Sequence, residues 1–209
     1  LGNSQPNVTR AMNNLEQQIN SILFIRNNRG VQLTPEGERL YAHVSAAMSQ
    51  ILAAEEELSD STGLSHGSVS IGASETALNI YLLDRLKTFH IAYPGIRLKI
   101  YNHSTPQAIN AVKNGMIDFA VVSTPVEVEA SLKMIKLGSF QEILVKSELG
   151  LAFMPKPMAE AAIANREIVE IALEKEIPQR NICMVYDIHH PISAAARELK
   201  KVISDSYKV

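Results

Sequence analysis

Gln5, Asn7, Thr9 and Arg10 put two amides, a hydroxyl and a guanidinium into one short stretch. Side chains of these types make paired hydrogen bonds to base edges in a DNA major groove. Further along, hydroxyls recur in three clusters, Ser74-Glu75-Thr76, His103-Ser104-Thr105 and Ser123-Thr124-Pro125. Such groups can cap helices or hold a small anion against helix N-termini. Other chemistry is weaker. Gly63-Leu64-Ser65-His66-Gly67 matches the Gly-x-Ser-x-Gly pattern of hydrolases letter for letter. That pattern needs a strand before the serine and a helix after it; here a helix is expected before and a strand after, so no nucleophile is assigned. His189-His190 could suggest a metal, but neighbours on an extended chain point apart and no third ligand is evident.

The elements that must position these residues can be read from spacing. Ser4 is placed to cap a helix with Pro6 in its first turn. Val8, Ala11, Met12, Leu15 and Ile19 then form one apolar stripe. Leu23-Phe24-Ile25-Arg26 and Val31-Gln32-Leu33 flank Asn27-Asn28-Arg29-Gly30, which predicts a small hairpin with Arg29 at its tip. Thr34-Pro35-Glu36-Gly37-Glu38 opens a second helix, expected over residues 35–60. Along it Tyr41, Val44, Met48, Ile51, Glu55 and Leu58 alternate steps of three and four, the seam of a coiled-coil pair with one charged interruption. The segments divide as 1–33, 34–61 for this linker helix, 62–67 for a hinge, and 68–209 for the remainder.

The run Ser4-Gln5-Pro6-x-Val8-Thr9-Arg10-Ala11-x-x-x-Leu15-Glu16, then Leu23-Phe24-x-Arg26 and Gly30-Val31-x-Leu33-Thr34-x-x-Gly37, closely resembles the DNA-binding motif of LysR-type transcriptional regulators. The resemblance implies a recognition helix over residues 4–15 and a wing holding Arg29. Ser4, Gln5, Pro6, Asn7, Thr9 and Arg10 would then face double-stranded DNA. It also implies a homodimer through residues 35–60, with dimer and tetramer both open and RNA polymerase a candidate partner.

From Ser68 onward the period becomes an α/β alternation. Strands are expected at 69–73, 97–101 and 118–122. A helix over 76–92 should turn Leu82, Leu83, Leu86 and Phe89 inward, and another is expected over 106–114. Such a βαβαβ unit has parallel strands, with ligands bound beyond their carboxyl ends. A later strand over 182–186 and a final helix over 194–204, capped by Ser193, complete the plan, with Cys183 as a buried small hydrophobe. Gly72-Ala73-Ser74-x-Thr76, Tyr93-Pro94-Gly95, Gly115-x-Ile117-Asp118-Phe119-Ala120 and residues 149–155 resemble the effector domain of the same regulators. The implied fold class is an α/β effector domain of type II periplasmic-binding-protein kind, joined by a long linker helix to an all-α winged helix-turn-helix domain. Ser74, Thr76, Ser104 and Ser123 become the expected effector contacts, suited to a small carboxylate or other anion. No Arg is expected at these exits.

One departure stands out. After Phe140-Gln141-Glu142-Ile143-Leu144-Val145 the resemblance predicts a longer second subdomain, yet the chain passes directly to Lys146-Ser147-Glu148. A break is therefore expected near Val145–Lys146, as is a start in mid-motif at Leu1.

Composition narrows the function classes. Of the 209 residues, 46% are hydrophobic and 20% charged, and the formal charge is −2, ordinary values for a globular chain. Locally, residues 1–33 hold three Arg against one Glu, while 34–61 hold one Arg against six acids. A single cysteine excludes an intrachain disulfide and, with no signal peptide or membrane span recognised, makes a cytoplasmic setting the expectation. No nucleophile–base set, metal cluster or phosphate loop marks an enzyme, and no cofactor is expected beyond the effector. A solute-binding protein without a DNA role is the alternative, and it leaves residues 4–33 unexplained.

Overall fold

A computed structural model describes residues 4–27, 30–59, 64, 66–175, 177–190 and 192–205. The chain opens with α1 (Gln5–Gln18), followed by a hairpin of β1 (Phe24–Asn27) and β2 (Gly30–Leu33). Ser4 occupies the N-cap position with extended backbone, but its side chain makes no cap hydrogen bond; Pro6 sits in the first turn as expected. The apolar stripe is only partly covered, with Met12 and Leu15 half-buried and Val8 and Ile19 exposed. Arg29 lies outside the described residues.

The linker helix α2 runs over Pro35–Ser59, 25 residues, or about 38 Å at ~1.5 Å per residue. Its start is fixed by Thr34, whose hydroxyl oxygen accepts from Gly37 N–H at 3.0 Å and donates to the Ile22 carbonyl at 2.7 Å. Gly37 lies so close to the preceding turn that a Cβ there would come within 2.2 Å of the Leu23 carbonyl oxygen. That contact, rather than any backbone angle, is what requires the motif's glycine. Residues 62, 63 and 65 of the expected hinge lie outside the described residues.

A five-stranded sheet in the order β4-β3-β5-β10-β6 forms the body of the C-terminal region. It contains β3 (Gly67–Ala73), β4 (Ile96–Asn102), β5 (Phe119–Ser123), β6 (Leu132–Phe140) and β10 (Arg180–Asp187). The first three pair in parallel, as the βαβαβ spacing predicts, and β10 runs antiparallel to both β5 and β6. The core lies on this sheet: Ile71, Phe89, Phe119, Met184, Leu199 and Ile203 are buried within one cluster. α5 (Thr105–Lys113) covers one face, and α7 (Ala194–Asp205) packs against β3 on the other, capped by Ser193 through the Ala196 N–H at 3.1 Å. Cys183 is buried, as expected.

The helix expected over residues 76–92 is a composite. α3 (Glu75–Ala77) passes through a π-turn at Leu78–Leu82 into α4 (Leu83–Ala92). Leu82, Leu86 and Phe89 are buried, but Leu83 is 49% exposed and corrects the inward assignment. Steps of four and three keep the first three on one stripe, and Leu83 sits about 100° around from Leu82. The π-turn is tied to α7 by the Tyr81 hydroxyl, which donates to the Ile203 carbonyl at 2.9 Å.

The backbone runs through Val145–Lys146 without interruption. β7 (Glu142–Ser147) runs through both residues and pairs on one side with β8 (Gly150–Pro155) and on the other with β9 (Val169–Ile171). The chain can reverse at once because Ser147 pairs with Gly150 across a two-residue turn, with Gly150 at φ +137. This second subdomain is small. Its three strands have α6 (Lys156–Ala164) on one face, where Ala159 packs with Ile143 and Val145. Among the described residues, no helix is long and apolar enough to cross a membrane.

Candidate functional site

Two regions bring polar side chains together, and each grows from local folding. At the N-terminal end of α1, Ser4, Gln5, Pro6, Asn7 and Arg10 are exposed, while Thr9 is half-buried. The helix is held to the hairpin by groups whose roles the sequence did not reveal. One oxygen of the Glu16 carboxylate accepts from both Leu23 N–H (2.7 Å) and Phe24 N–H (3.1 Å). Arg26 in β1 donates to the Asn13 side-chain oxygen at 3.1 Å. The polar edge is therefore presented in a fixed relation to the wing, and the wing to the linker helix through Thr34 and Gly37.

Along α2, Tyr41, Val44, Met48 and Ile51 are each at least half exposed. In one copy of the chain the predicted seam is thus bare at these four positions, an apolar ridge facing solvent. On another side the helix touches the effector region, where a Cβ on Gly115 would meet the Ala46 Cβ at 2.9 Å. A small cavity lies at that junction, lined by Ala46, Gln50, Ser70, Gly115, Asp118 and His190. It sits toward the start of β5, away from the strand exits. His190 Nδ1 lies 3.0 Å from a carboxylate oxygen of Asp187 there.

The second region is the rim formed by the exits of β3, β4 and β5, where the structure gathers all four expected effector residues. Ser74 is buried, and its hydroxyl oxygen accepts from Ala77 N–H at 3.3 Å, so it serves as a helix cap. Thr76, two residues on, is half-buried. Ser104 is exposed; its N–H and its hydroxyl both donate to the Gln107 side-chain oxygen, at 3.0 and 2.9 Å. Ser123 is half-buried, and its carbonyl accepts from the Thr105 hydroxyl at 3.4 Å, linking two exits. Each capping hydroxyl keeps hydrogen-bonding capacity that its cap does not use. Inside the rim, the buried His103 Nδ1 has no hydrogen-bond partner among the described residues.

The expectation that no Arg reaches these exits is corrected. Arg180, at the start of β10, donates to the Thr124 carbonyl at 3.3 Å and pairs with Glu142 of β7 at 3.0 Å. The antiparallel register explains this: Ile182 pairs with Ser123, so Arg180 lies just past the end of β5. A cation thus stands where the two subdomains meet.

Comparison with known proteins agrees with this architecture. The pattern for "Bacterial regulatory helix-turn-helix protein, lysR family" matches residues 1–38, and that for "LysR substrate binding domain" matches residues 62–145. A "Probable RuBisCO transcriptional regulator" of Emiliania huxleyi is 33% identical over 145 residues, covering 68% of this chain and 46% of that protein. The "HTH-type transcriptional regulator YofA" of Bacillus subtilis (strain 168) is 31% identical over 178 residues, covering 82% of this chain and 61% of that protein. The chain therefore spans about half to three-fifths of the length of these relatives. Among solved structures, a full-length OxyR variant from Pseudomonas aeruginosa superposes with a TM-score of 0.70 at 16% identity, over 99% of this chain and 89% of that one. The effector binding domain of QuiR gives 0.60, also at 16% identity, over 69% of this chain and 98% of that one. With both halves of the family pattern matched in order, a wing-bearing helix and a parallel-sheet effector region joined by a long helix, the chain belongs to the LysR family of transcriptional regulators.

Proposed function

We propose that this chain is a sequence-specific DNA-binding transcriptional regulator whose C-terminal region senses a small anionic effector. The observation that supports this most is the mounting of the polar end of α1. Ser4, Gln5, Asn7 and Arg10 are exposed together, locked to the wing by Glu16 and Arg26, and set on a 25-residue helix with a bare apolar seam. Two copies joined along Tyr41, Val44, Met48 and Ile51 would present two recognition helices to two half-sites. Arg29 would extend each contact from the wing tip. Such a regulator works in the cytoplasm, where RNA polymerase is an available partner. On the effector side, Ser74, Thr76, Ser104 and Ser123 offer hydroxyls, α5 offers its N-terminus, and Arg180 adds a full positive charge suited to a carboxylate. Binding that draws the small subdomain toward the rim would compete with the Arg180–Glu142 pair and shift the closure equilibrium.

The test is duplex binding by the full chain and by Arg10→Ala. A guanidinium bidentate to a base contributes about 1–3 kcal/mol of discrimination, so Arg10→Ala is expected to weaken binding and flatten base preference. Unchanged affinity and preference would contradict the reading. For the effector, a thermal-shift screen of small carboxylates and amino acids should give hits that Arg180→Ala loses.

A further inference from the structure

The helix that begins at Ser74 is not regular. Ser74 holds its start in two ways: the hydroxyl oxygen accepts from Ala77 N–H at 3.3 Å and the carbonyl from Leu78 N–H at 2.8 Å. Leu83 N–H then reaches back to the Leu78 carbonyl, a five-residue step that closes the π-turn at Leu78–Leu82. Single π-turns inside helices recur at functional sites. Three other elements meet this one. Tyr81 is buried, its ring bounded by the Arg85 guanidinium, 3.4 Å from the ring centroid, and by Gly138 of β6, where a Cβ would come within 3.5 Å. Its hydroxyl donates to the Ile203 carbonyl in the last turn of α7 at 2.9 Å. α6 of the small subdomain packs against the π-turn, and α7 packs against the linker helix α2.

We propose that the π-turn is a two-state element through which effector binding at Ser74 and closure of the small subdomain reach the linker helix, with Tyr81 as the positioning residue that ties it to α7. This device rests on the effector reading above, since Ser74 is its ligand end. The physical reason is the surplus residue. Were the turn to become regular α-helix, it would give up one residue, and the side chains before it would rotate by about 100° relative to those after it. Tyr81 could not then keep its hydroxyl on Ile203 while Phe89 kept its place in the core. The Tyr81–Ile203 bond and the π-turn therefore hold or fail together. Ile203 in turn belongs to the helix that touches α2. A ligand that engages the Ser74 hydroxyl, or a small subdomain that presses α6 onto the turn, biases the choice between the two forms. One discrete element is thus biased from two sites and read out at a third, which is what coupling between distant sites requires.

Hydrogen exchange of the full chain, read by mass spectrometry, tests this with neither ligand nor duplex. Ser74→Ala removes the cap and should speed exchange over residues 75–82 by about fivefold. The same substitution is expected to speed exchange around Ile203 in α7 and along α2 by about twofold or more. Tyr81→Phe keeps the ring and loses only the hydroxyl. With it in place, Ser74→Ala should still act on residues 75–82 and no longer reach α7 or α2. Ser193→Ala loosens α7 at its other end, and transmission should survive it. Non-additivity for Ser74 with Tyr81, and additivity for Ser74 with Ser193, is a pattern that a merely structural Tyr81 would not give. Should Tyr81→Phe fold poorly by circular dichroism, Arg85→Met takes its place: it removes the guanidinium from the ring and its 2.7 Å bond to the Tyr81 carbonyl, and should weaken the same transmission. A Ser74→Ala effect confined to residues 75–82 overturns the proposal, as does transmission that survives Tyr81→Phe. Transmission abolished by Ser193→Ala overturns it too, because α7 would then report only its own stability. A chain that shows the expected pattern yet binds no duplex supports the relay and counts against the functional reading; one that binds duplex without transmission counts against the relay alone.

Discussion

Glu16 is the most informative single residue to perturb, because one carboxylate oxygen joins α1 to the wing. It accepts two backbone N–H groups, from Leu23 at 2.7 Å and Phe24 at 3.1 Å, next to the buried Leu23 side chain. Removing it strands both donors. A hydrogen bond to a charged group contributes about 1.5–3 kcal/mol. Because these two share one oxygen in a partly buried site, the pair should lose about 2–3 kcal/mol on Glu16→Ala rather than twice the single value. Glu16→Gln keeps a carbonyl oxygen able to accept both bonds and gives up only the charge assistance, about 1 kcal/mol. Hydrogen exchange at the Leu23 and Phe24 amides reads the difference locally. At 1.4 kcal/mol per factor of ten, Ala should speed exchange by about 30- to 150-fold and Gln by about 5-fold. Duplex affinity should fall in the same order, since the wing loses its fixed relation to the helix. Equal exchange rates in Ala, Gln and wild type would refute the reasoning.

Three further outcomes follow from the geometry. Gly37→Ala must push a methyl against the Leu23 carbonyl, which a Cβ would approach to 2.2 Å; overpacking of this kind costs about 1–3 kcal/mol, and a denaturant melt followed at the N-terminal region should show it. Gly115→Ala meets both its φ of +63 and the Ala46 Cβ; it should lower stability by about 1–2 kcal/mol from the backbone alone, and adding Ala46→Gly should relieve only the steric part in thermal melts. Burial pushes the Cys183 thiol above its ordinary value, with Lys136 opposing weakly. The folded form therefore holds the proton more tightly than the unfolded one. Its contribution to stability is complete below the ordinary thiol value and is lost as pH rises through the raised one. Thiol reagents at about pH 8 should modify Cys183 far more slowly in the folded chain than in urea, and Cys183→Val should show a shallower loss of stability in alkali.

Local patterns were well written in the sequence, and contacts between distant segments were not. The caps at Thr34 and Ser193 and the hairpin around Gly30 follow from residues within a few positions of one another, and the parallel pairing of β3, β4 and β5 follows from the alternation of strands with helices. Leu83 was misplaced because it sits about 100° around from Leu82, beyond the stripe that Leu82, Leu86 and Phe89 bury. Arg180 was missed because its place at the rim depends on β10 pairing with β5, a register that no local pattern encodes. The break at Val145–Lys146 was inferred from an expected length. At that place a two-residue turn joins β7 to β8, with Ser147 paired to Gly150. The polar edge of α1 was legible as chemistry, whereas its attachment through Glu16 and Arg26 was visible only once the hairpin was folded against it.

The central claim is that the exposed end of α1 reads duplex sequence in pairs. Selecting bound duplexes from a random pool with the full chain at low salt tests it most directly. Two similar half-sites in inverted repeat, spaced by about one helical turn or a multiple of it and losing definition with Arg10→Ala, are the predicted result. Recovery of a pool no different from its starting composition would contradict it.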